Sequence, residues 1–229
     1  MLKSSPGNRV RDRNYYPYQK ELFSFAQKVY QAGFVSGSSG NLSLRVPEEK
    51  NRFVITPTSI AYDQLALNQM VVIDGKGNLV VDSNYLPSIE TPMHLAIYQA
   101  YPEVQAIIHT HSIYSTALAV LRKPIPAILE ELVIYTGGEV PVAKYAPAGS
   151  KELARNAVKA LKKASAILLA NHGNLCVGKT LAQAFNLCAL VERSARIYLS
   201  ALGKGKIHLL PKKVIEQDKR KYIKSLSGK

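Results

Sequence analysis

A chain of 229 residues, 47% of them hydrophobic, can build one well-packed medium domain, and this excludes a disordered polymer. No apolar run is long enough to span a bilayer, and the polar, basic stretch from Lys3 to Arg13 lacks the apolar core of a signal peptide. A cytoplasmic protein with no membrane partner is therefore expected. The formal charge of +14 raises nucleic acid as a partner, but the cations gather at the ends, at Arg9, Arg11 and Arg13 and again from Lys212 to Lys224. No RNA-binding or helix-turn-helix signature accompanies them, and a basic surface also suits anionic, phosphorylated substrates. Nucleic acid is thus the less favoured partner.

Residues 1–16 read as a loose basic arm, residues 17–210 as one domain and residues 211–229 as a basic tail. Tyr18 to Ala32 has the spacing of an amphipathic helix, with Leu22, Phe25, Ala26 and Val29 on one stripe and Gly33 as its stop. Ser36-Gly37-Ser38-Ser39-Gly40-Asn41 is a loop whose small side chains leave backbone N–H groups open. Phe53-Val54-Ile55-Thr56 predicts a short strand ended by Pro57. Met70–Ile73 and Leu79–Val81 predict a hairpin around Asp74-Gly75-Lys76-Gly77-Asn78.

A helix is expected from about Glu90, with Pro92 in its first turn, to Ala100. The apolar run Val104–His111 predicts a strand, and Ser112 is placed to cap a helix reaching Leu121. Val133-Ile134-Tyr135 and Val140-Pro141-Val142 predict short strands around Gly137-Gly138. Ser150 caps a helix to about Lys163. Ala166–Leu169 predicts a buried strand running into Asn171-His172-Gly173, and Thr180 to Leu202 a long helix. Cys176 and Cys188 are too few for a disulfide framework or a thiolate zinc site and read as buried small hydrophobes. Strands interleaved with helices, several of them joined by hairpins, predict an α/β fold: a three-layer α/β/α domain with a mixed, largely antiparallel central sheet.

The chemistry concentrates in the histidines. Side chains at i and i+2 of a strand share a face, so His109 and His111 converge if their run is extended. A catalytic divalent metal needs three or four N, O or S ligands, with a position left open. His172 ends another apolar strand, and Gly173 lets the chain turn tightly there, which supplies a candidate third ligand. His94 lies four residues after Glu90 on one helix face and reads as a packed or supporting histidine. His208 stands outside any motif.

Five motifs, in order, carry a family resemblance: Gly40-Asn41-Leu42-Ser43, Ile55-Thr56-Pro57-Thr58-Ser59, Pro87-Ser88-Ile89-Glu90, His109-Thr110-His111-Ser112 and Asn171-His172-Gly173. Over roughly residues 18–205 the chain resembles the class II aldolase/adducin family. The resemblance implies a zinc enzyme, a lyase cleaving a sugar phosphate such as L-fuculose 1-phosphate by a retro-aldol step through a zinc-stabilised enediolate. It implies His109, His111 and His172 as ligands of zinc or another divalent transition metal. Glu90 is implied as a further ligand or as the acid/base. Gly40, Asn41, Thr58, Ser59 and Ser88 are implied to line the substrate phosphate. A homotetramer with sites at subunit interfaces is also implied.

Three positions depart from the aldolase pattern. Ser59 stands where the phosphate loop has glycine, Ile89 where the second loop has serine, and Glu130 where some members place a proton-donating tyrosine. Tyr222, in the basic tail, is the candidate for the tyrosine that other members supply from their C-terminus. Glu130 favours a methylthioribulose-1-phosphate dehydratase as a competing reading. The segment Thr91–Tyr98 resembles a pentulose-phosphate 4-epimerase, and sugar-acid-phosphate decarboxylases share the fold. A non-catalytic adducin-like binding module is expected to lose the metal ligands, whereas all three histidines and Glu90 are present here.

Overall fold

The computed structural model describes residues 6–162 and 164–227. Helix α1 (Pro6–Gln31) buries Tyr15, Leu22, Ala26 and Val29 on one stripe. The arm expected over residues 1–16 is therefore helical from Pro6 onward, and residues 1–5 lie outside the described residues. Proline is compatible with a first helical turn, and the stripe extends back to Tyr15, whose hydroxyl donates to Glu49 at 2.7 Å.

Seven strands follow in one sheet: β1 (Asn41–Arg45), β2 (Arg52–Ile55), β3 (Val71–Asp74), β4 (Ala106–Thr110), β5 (Val142–Ala143), β6 (Ala166–Leu169) and β7 (Gly173–Gly178). Their order is β3-β2-β1-β4-β7-β6-β5, and every pairing is antiparallel except β5 with β6. The sheet is mixed and largely antiparallel, as the sequence predicts. Both faces are apolar, and alternate residues of β4 serve different layers. Ala106 and Ile108 join a core built with α1, α3 (Ile113–Val120) and α6 (Leu181–Ala201). Ile107 joins a second core with α2 (Thr91–Ala100) and α5 (Lys151–Leu161). Cutting a fully buried side chain such as Ile107 or Ile108 to alanine should cost about 2–5 kcal/mol.

Where the chain departs from its local pattern, burial explains the outcome. Val133-Ile134-Tyr135, expected as a strand, lies in helix α4 (Glu130–Thr136). Leu132, Val133 and Thr136 are buried together, Glu130 and Glu131 sit in the first turn where the helix dipole favours anions, and Gly137 caps the end in the left-handed region at φ 84°. Packing on one helical face overrides the β-branched preference. The expected strand at Leu79–Val81 contracts to a bridge between Ile73 and Leu79, because Asp74 Oδ1 gathers the N–H groups of Lys76 and Asn78 into a tight turn. Strands β1 and β7 have no counterpart in the predicted elements, yet they flank β4. The basic tail forms α7 (Lys212–Ser227), which packs on α4 as part of the same body.

Candidate active site

His109 is the next-to-last residue of β4 and lies in register with Asn41 of β1 and Leu175 of β7. Its position in the alternation, shared with Ile107, points it toward α2. Its Nδ1 lies 2.7 Å from the carbonyl of Asn174, so that nitrogen carries the proton and donates. Nε2 is thereby left as a ligand lone pair. His111 follows the strand, pinned where its N–H donates to Phe34 O at 3.1 Å.

His172 arrives on a tight turn between β6 and β7. Asn171 adopts φ 55°, and the His172 N–H donates to Leu169 O at 3.0 Å. The turn needs Gly173 for space: a Cβ there would stand 2.2 Å from Thr110 O, 3.0 Å from His111 Cδ2 and 3.2 Å from His109 Cε1. Removing that one methyl lets β7 close against β4 and brings the third imidazole to the other two.

The three rings meet edge to face with centroids 4.7 to 4.9 Å apart, and their ligand atoms all lie within 4.8 Å of one another. The Nε2 atoms of His109 and His111 are 3.0 Å apart. Glu90, the residue before α2, turns its carboxylate into this group: Oε2 is 3.0 Å from His109 Nε2, and Oε1 is 3.4 Å from His172 Nε2. Asn41 Nδ2 donates to Oε2 at 2.8 Å, while Oε1 is buried without a hydrogen-bond partner.

Burial pushes His111 down to about 3 and His172 down to about 4, and the neighbouring His109 charge adds to both shifts. Both rings are therefore neutral near pH 7. Burial also pushes His109 down, but the Glu90 carboxylate and the Asn174 carbonyl outweigh it and raise this ring. Burial would raise Glu90, yet His109 first of all, then the His172 ring and the Asn41 hydrogen bond, hold it well below the usual carboxylate range. Lone pairs converging from three imidazoles, beside an ionised carboxylate with one oxygen unmatched, suit a divalent transition ion. Glu90, His109, His111 and His172 would hold it.

The expected phosphate-binding residues gather beside this cluster. The segments around residues 57 and 87 form a bridge between Pro57 and Pro87, with Thr58 N donating to Leu86 O and Ser88 N to Thr56 O. Thr56 is tied to Leu42 at the start of β1, and Gly37 O accepts from Tyr62 N. Ser59, in the glycine's place, adopts the glycine's left-handed conformation at φ 60°, with its hydroxyl 3.4 Å from that of Thr58. Ile89 is exposed and leaves the adjacent surface apolar. Ser88 Oγ accepts from Glu90 N, which couples this loop to the carboxylate. Gly40, at φ +83°, lets the loop approach β4, since a Cβ would meet His109 O at 2.8 Å. The Asn41 side chain, expected to face phosphate, is buried and bonded to Glu90 and His94.

Two expected acid/base residues lie elsewhere. Tyr222 is buried against Gly137, and its hydroxyl is 2.6 Å from Ser165 Oγ, at the end of β6 remote from His172. It is a packing residue of the α4–α7 contact and does not reach the histidines of its own chain. Glu130 is exposed at the start of α4, outside the cluster. His208 is exposed and apart. Sequence reasoning missed Asn174, Ser43 and Glu192. Asn174 orients His109 through its carbonyl, and its side chain bonds Thr110, Ser112 and Ser115. Glu192 of α6 accepts from Tyr114 N and Ser115 N and so caps α3, a role expected of Ser112. The alternation Asn41-Leu42-Ser43-Leu44 was the available signal for β1 and for the face on which Ser43 lies.

Residues 20–199 match the Class II Aldolase and Adducin N-terminal domain. The chain is 37% identical to the L-fuculose phosphate aldolase of Haemophilus influenzae over 198 residues, covering 86% of this chain and 89% of the relative. It is 33% identical to a 5-methylthioribulose-1-phosphate/5-deoxyribulose-1-phosphate aldolase of Rhodospirillum rubrum over 217 residues, 95% of this chain and 93% of that one. A solved L-fuculose 1-phosphate aldolase superposes with a TM-score of 0.84 at 40% identity, covering 90% of this chain and 95% of the other. The chain belongs to the class II aldolase and adducin family, and it is a lyase of the aldolase type.

Proposed function

We propose that the protein is a zinc-dependent aldolase that cleaves a ketose 1-phosphate, such as L-fuculose 1-phosphate, into dihydroxyacetone phosphate and an aldehyde. The observation that carries this reading is the convergence of His109, His111 and His172 beside the Glu90 carboxylate, whose Oε1 has no hydrogen-bond partner. A bound divalent ion supplies Lewis acidity that stabilises the negative charge left on the hydroxyketone half when the C–C bond breaks. Glu90 Oε1, with no competing hydrogen bond, takes up a proton from solvent and passes it to the carbon of that half, while Glu130 returns the hydroxyl proton to solvent. The hydroxyls of Thr58, Ser59 and Ser88 hold the phosphate, and their lining lets the substrate reach the histidines in one orientation. Glu130 takes the proton of the hydroxyl on the carbon that becomes the aldehyde.

Because Glu130 is exposed on its own chain, this reading needs a neighbouring subunit, and we assign a cytoplasmic homotetramer with interfacial sites. Ile113, Val120 and Leu121, at either end of the helix that follows His111, are more than half exposed at 73%, 53% and 51%, an apolar surface suited to such an interface. Sedimentation of the purified protein tests this, and a monomer at micromolar concentration would refute it.

The likeness to a 5-methylthioribulose-1-phosphate/5-deoxyribulose-1-phosphate aldolase supports a second substrate, a 5-deoxy or 5-methylthio pentulose 1-phosphate. A panel of ketose 1-phosphates with added zinc, scored for dihydroxyacetone phosphate, tests both. Release from the fuculose or the deoxypentulose compound supports the aldolase reading and identifies the substrate. No release from any, with methylthioribulose 1-phosphate consumed, would establish the dehydratase in its place. Among the described residues no helix is long and apolar enough to cross a membrane.

A further inference from the structure

Behind Glu90 runs a line of buried hydrogen bonds whose direction is fixed at every link. An ionised carboxylate only accepts, so Asn41 must present Nδ2 to Glu90 Oε2, at 2.8 Å. Asn41 Oδ1 then faces His94 Nε2 at 2.7 Å. An amide oxygen only accepts, so Nε2 carries the His94 ring proton. Nδ1 is left as a lone pair, and Ser43 Oγ, 2.7 Å away, must donate to it. Ser43 Oγ accepts in turn from the Tyr98 hydroxyl at 2.8 Å. Asn41, Ser43, His94 and Tyr98 are between 1% and 4% exposed, so water cannot substitute for a missing link.

The line joins two elements. Asn41 and Ser43 share a face of β1, and His94 and Tyr98 stand one turn apart on α2, whose first turn includes His94 N donating to Glu90 O at 3.3 Å. We propose that His94 is a positioning residue. By holding Asn41 in one amide orientation it ties Glu90 Oε2 to the sheet beside His109 and leaves Oε1 toward His172. A carboxylate free to rotate would present either oxygen. This inference rests on the reading of Glu90 as the proton-transferring group.

The test compares the wild type with His94→Phe, His94→Gln and Ser43→Ala, each purified with zinc. The readouts are zinc affinity by competition with a chromophoric chelator, the His94 tautomer by 15N NMR, and kcat and KM on the ketose 1-phosphate that the wild type cleaves. The wild type should show the Nε2–H tautomer. His94→Phe should lower zinc affinity and kcat by about tenfold to a hundredfold, with KM within about twofold. Glutamine can offer an N–H to Asn41 and an oxygen to Ser43, so His94→Gln should recover most of both losses.

An Nδ1–H tautomer in the wild type would overturn the proposal. So would a folded His94→Phe with undiminished zinc affinity and kcat, or a folded His94→Gln as impaired as the phenylalanine variant. Should His94→Phe fail to fold, Ser43→Ala decides: a mixed tautomer with a lower kcat is expected, and an unchanged tautomer and kcat would refute it. Absence of cleavage by the wild type would overturn the aldolase reading alone, since tautomer and zinc affinity still judge His94.

Discussion

Strand β6 connects two buried polar groups that behave differently. At one end, beyond Leu169, His172 joins His109 and His111 beside the Glu90 carboxylate, one oxygen of which lacks a hydrogen-bond partner. At the other, before Ala166, the Tyr222 hydroxyl meets Ser165, and Thr136 Oγ1 donates within its own turn, lying 2.6 Å from Leu132 O and 2.7 Å from Gly138 O. The first group gathers imidazole nitrogens beside a carboxylate with one oxygen unmatched, a donor set that suits a cation. The second pairs donors with acceptors and holds α4 against α7. A buried tyrosine near a predicted site is therefore no evidence of chemistry when its partner is already supplied, whereas lone pairs left facing one another are.

The largest expected effect breaks the first end. Gly173→Val should abolish zinc uptake, because its Cβ would overlap Thr110 O and its branches would displace two imidazoles. Equilibrium dialysis with zinc reads this, and full uptake by the variant would show that the turn does not position His172. Removing a ligand, His109→Ala, should likewise abolish binding of one zinc per chain. Zinc added to the wild type at about a hundred times its Kd should add roughly 2.7 kcal/mol of stability, and the alanine variant should gain none in a denaturation series.

Glu130→Gln sharpens the contrast, since it should lower kcat by about 10²–10⁴-fold while leaving zinc affinity unchanged. Equal kcat for the two proteins would remove Glu130 from the reaction. At the other end of β6, Gly137→Ala should destabilise by about 1–3 kcal/mol, because a Cβ at φ +84° would lie 2.6 Å from Tyr222 Cε1. Its kcat per folded molecule should match the wild type, and a lower kcat would mean that the α4–α7 contact reaches the site. Smallest, Ser59→Gly should raise stability by about 1 kcal/mol by relieving a left-handed serine, measured by urea titration. A loss of stability would show that the Ser59 hydroxyl holds the loop.

The order of motifs made the histidine cluster legible, since His109 and His111 share a strand end and Gly173 marks a close turn. The helices at Thr91, Lys151 and Leu181 were legible from caps and periodicity, and Ser150 and Thr180 do accept from the Leu153 and Gln183 N–H groups. Strands β1 and β7 were not. Each carries asparagine, and β1 serine as well, at positions facing polar partners, so neither reads as an apolar run. The α4 residues Val133 and Ile134 misled in the opposite direction, because β-branched residues mark strands only when a neighbouring strand is available. That Tyr222 packs away from the histidines could not be read either, since its partner is a serine 57 positions away.

His109 lies between Asn41 and Leu175, two neighbours drawn from opposite halves of the chain, and its orienting carbonyl is 65 positions downstream. During synthesis the His109–His111 pair therefore leaves the ribosome long before β7 exists to fix its rings. Pairing this distant closes slowly, because the loop must be ordered before its contacts form. A metal held by these residues, as proposed, would thus be acquired by a finished domain. A chain kept from that metal would then accumulate as folded protein and not as misfolded chains.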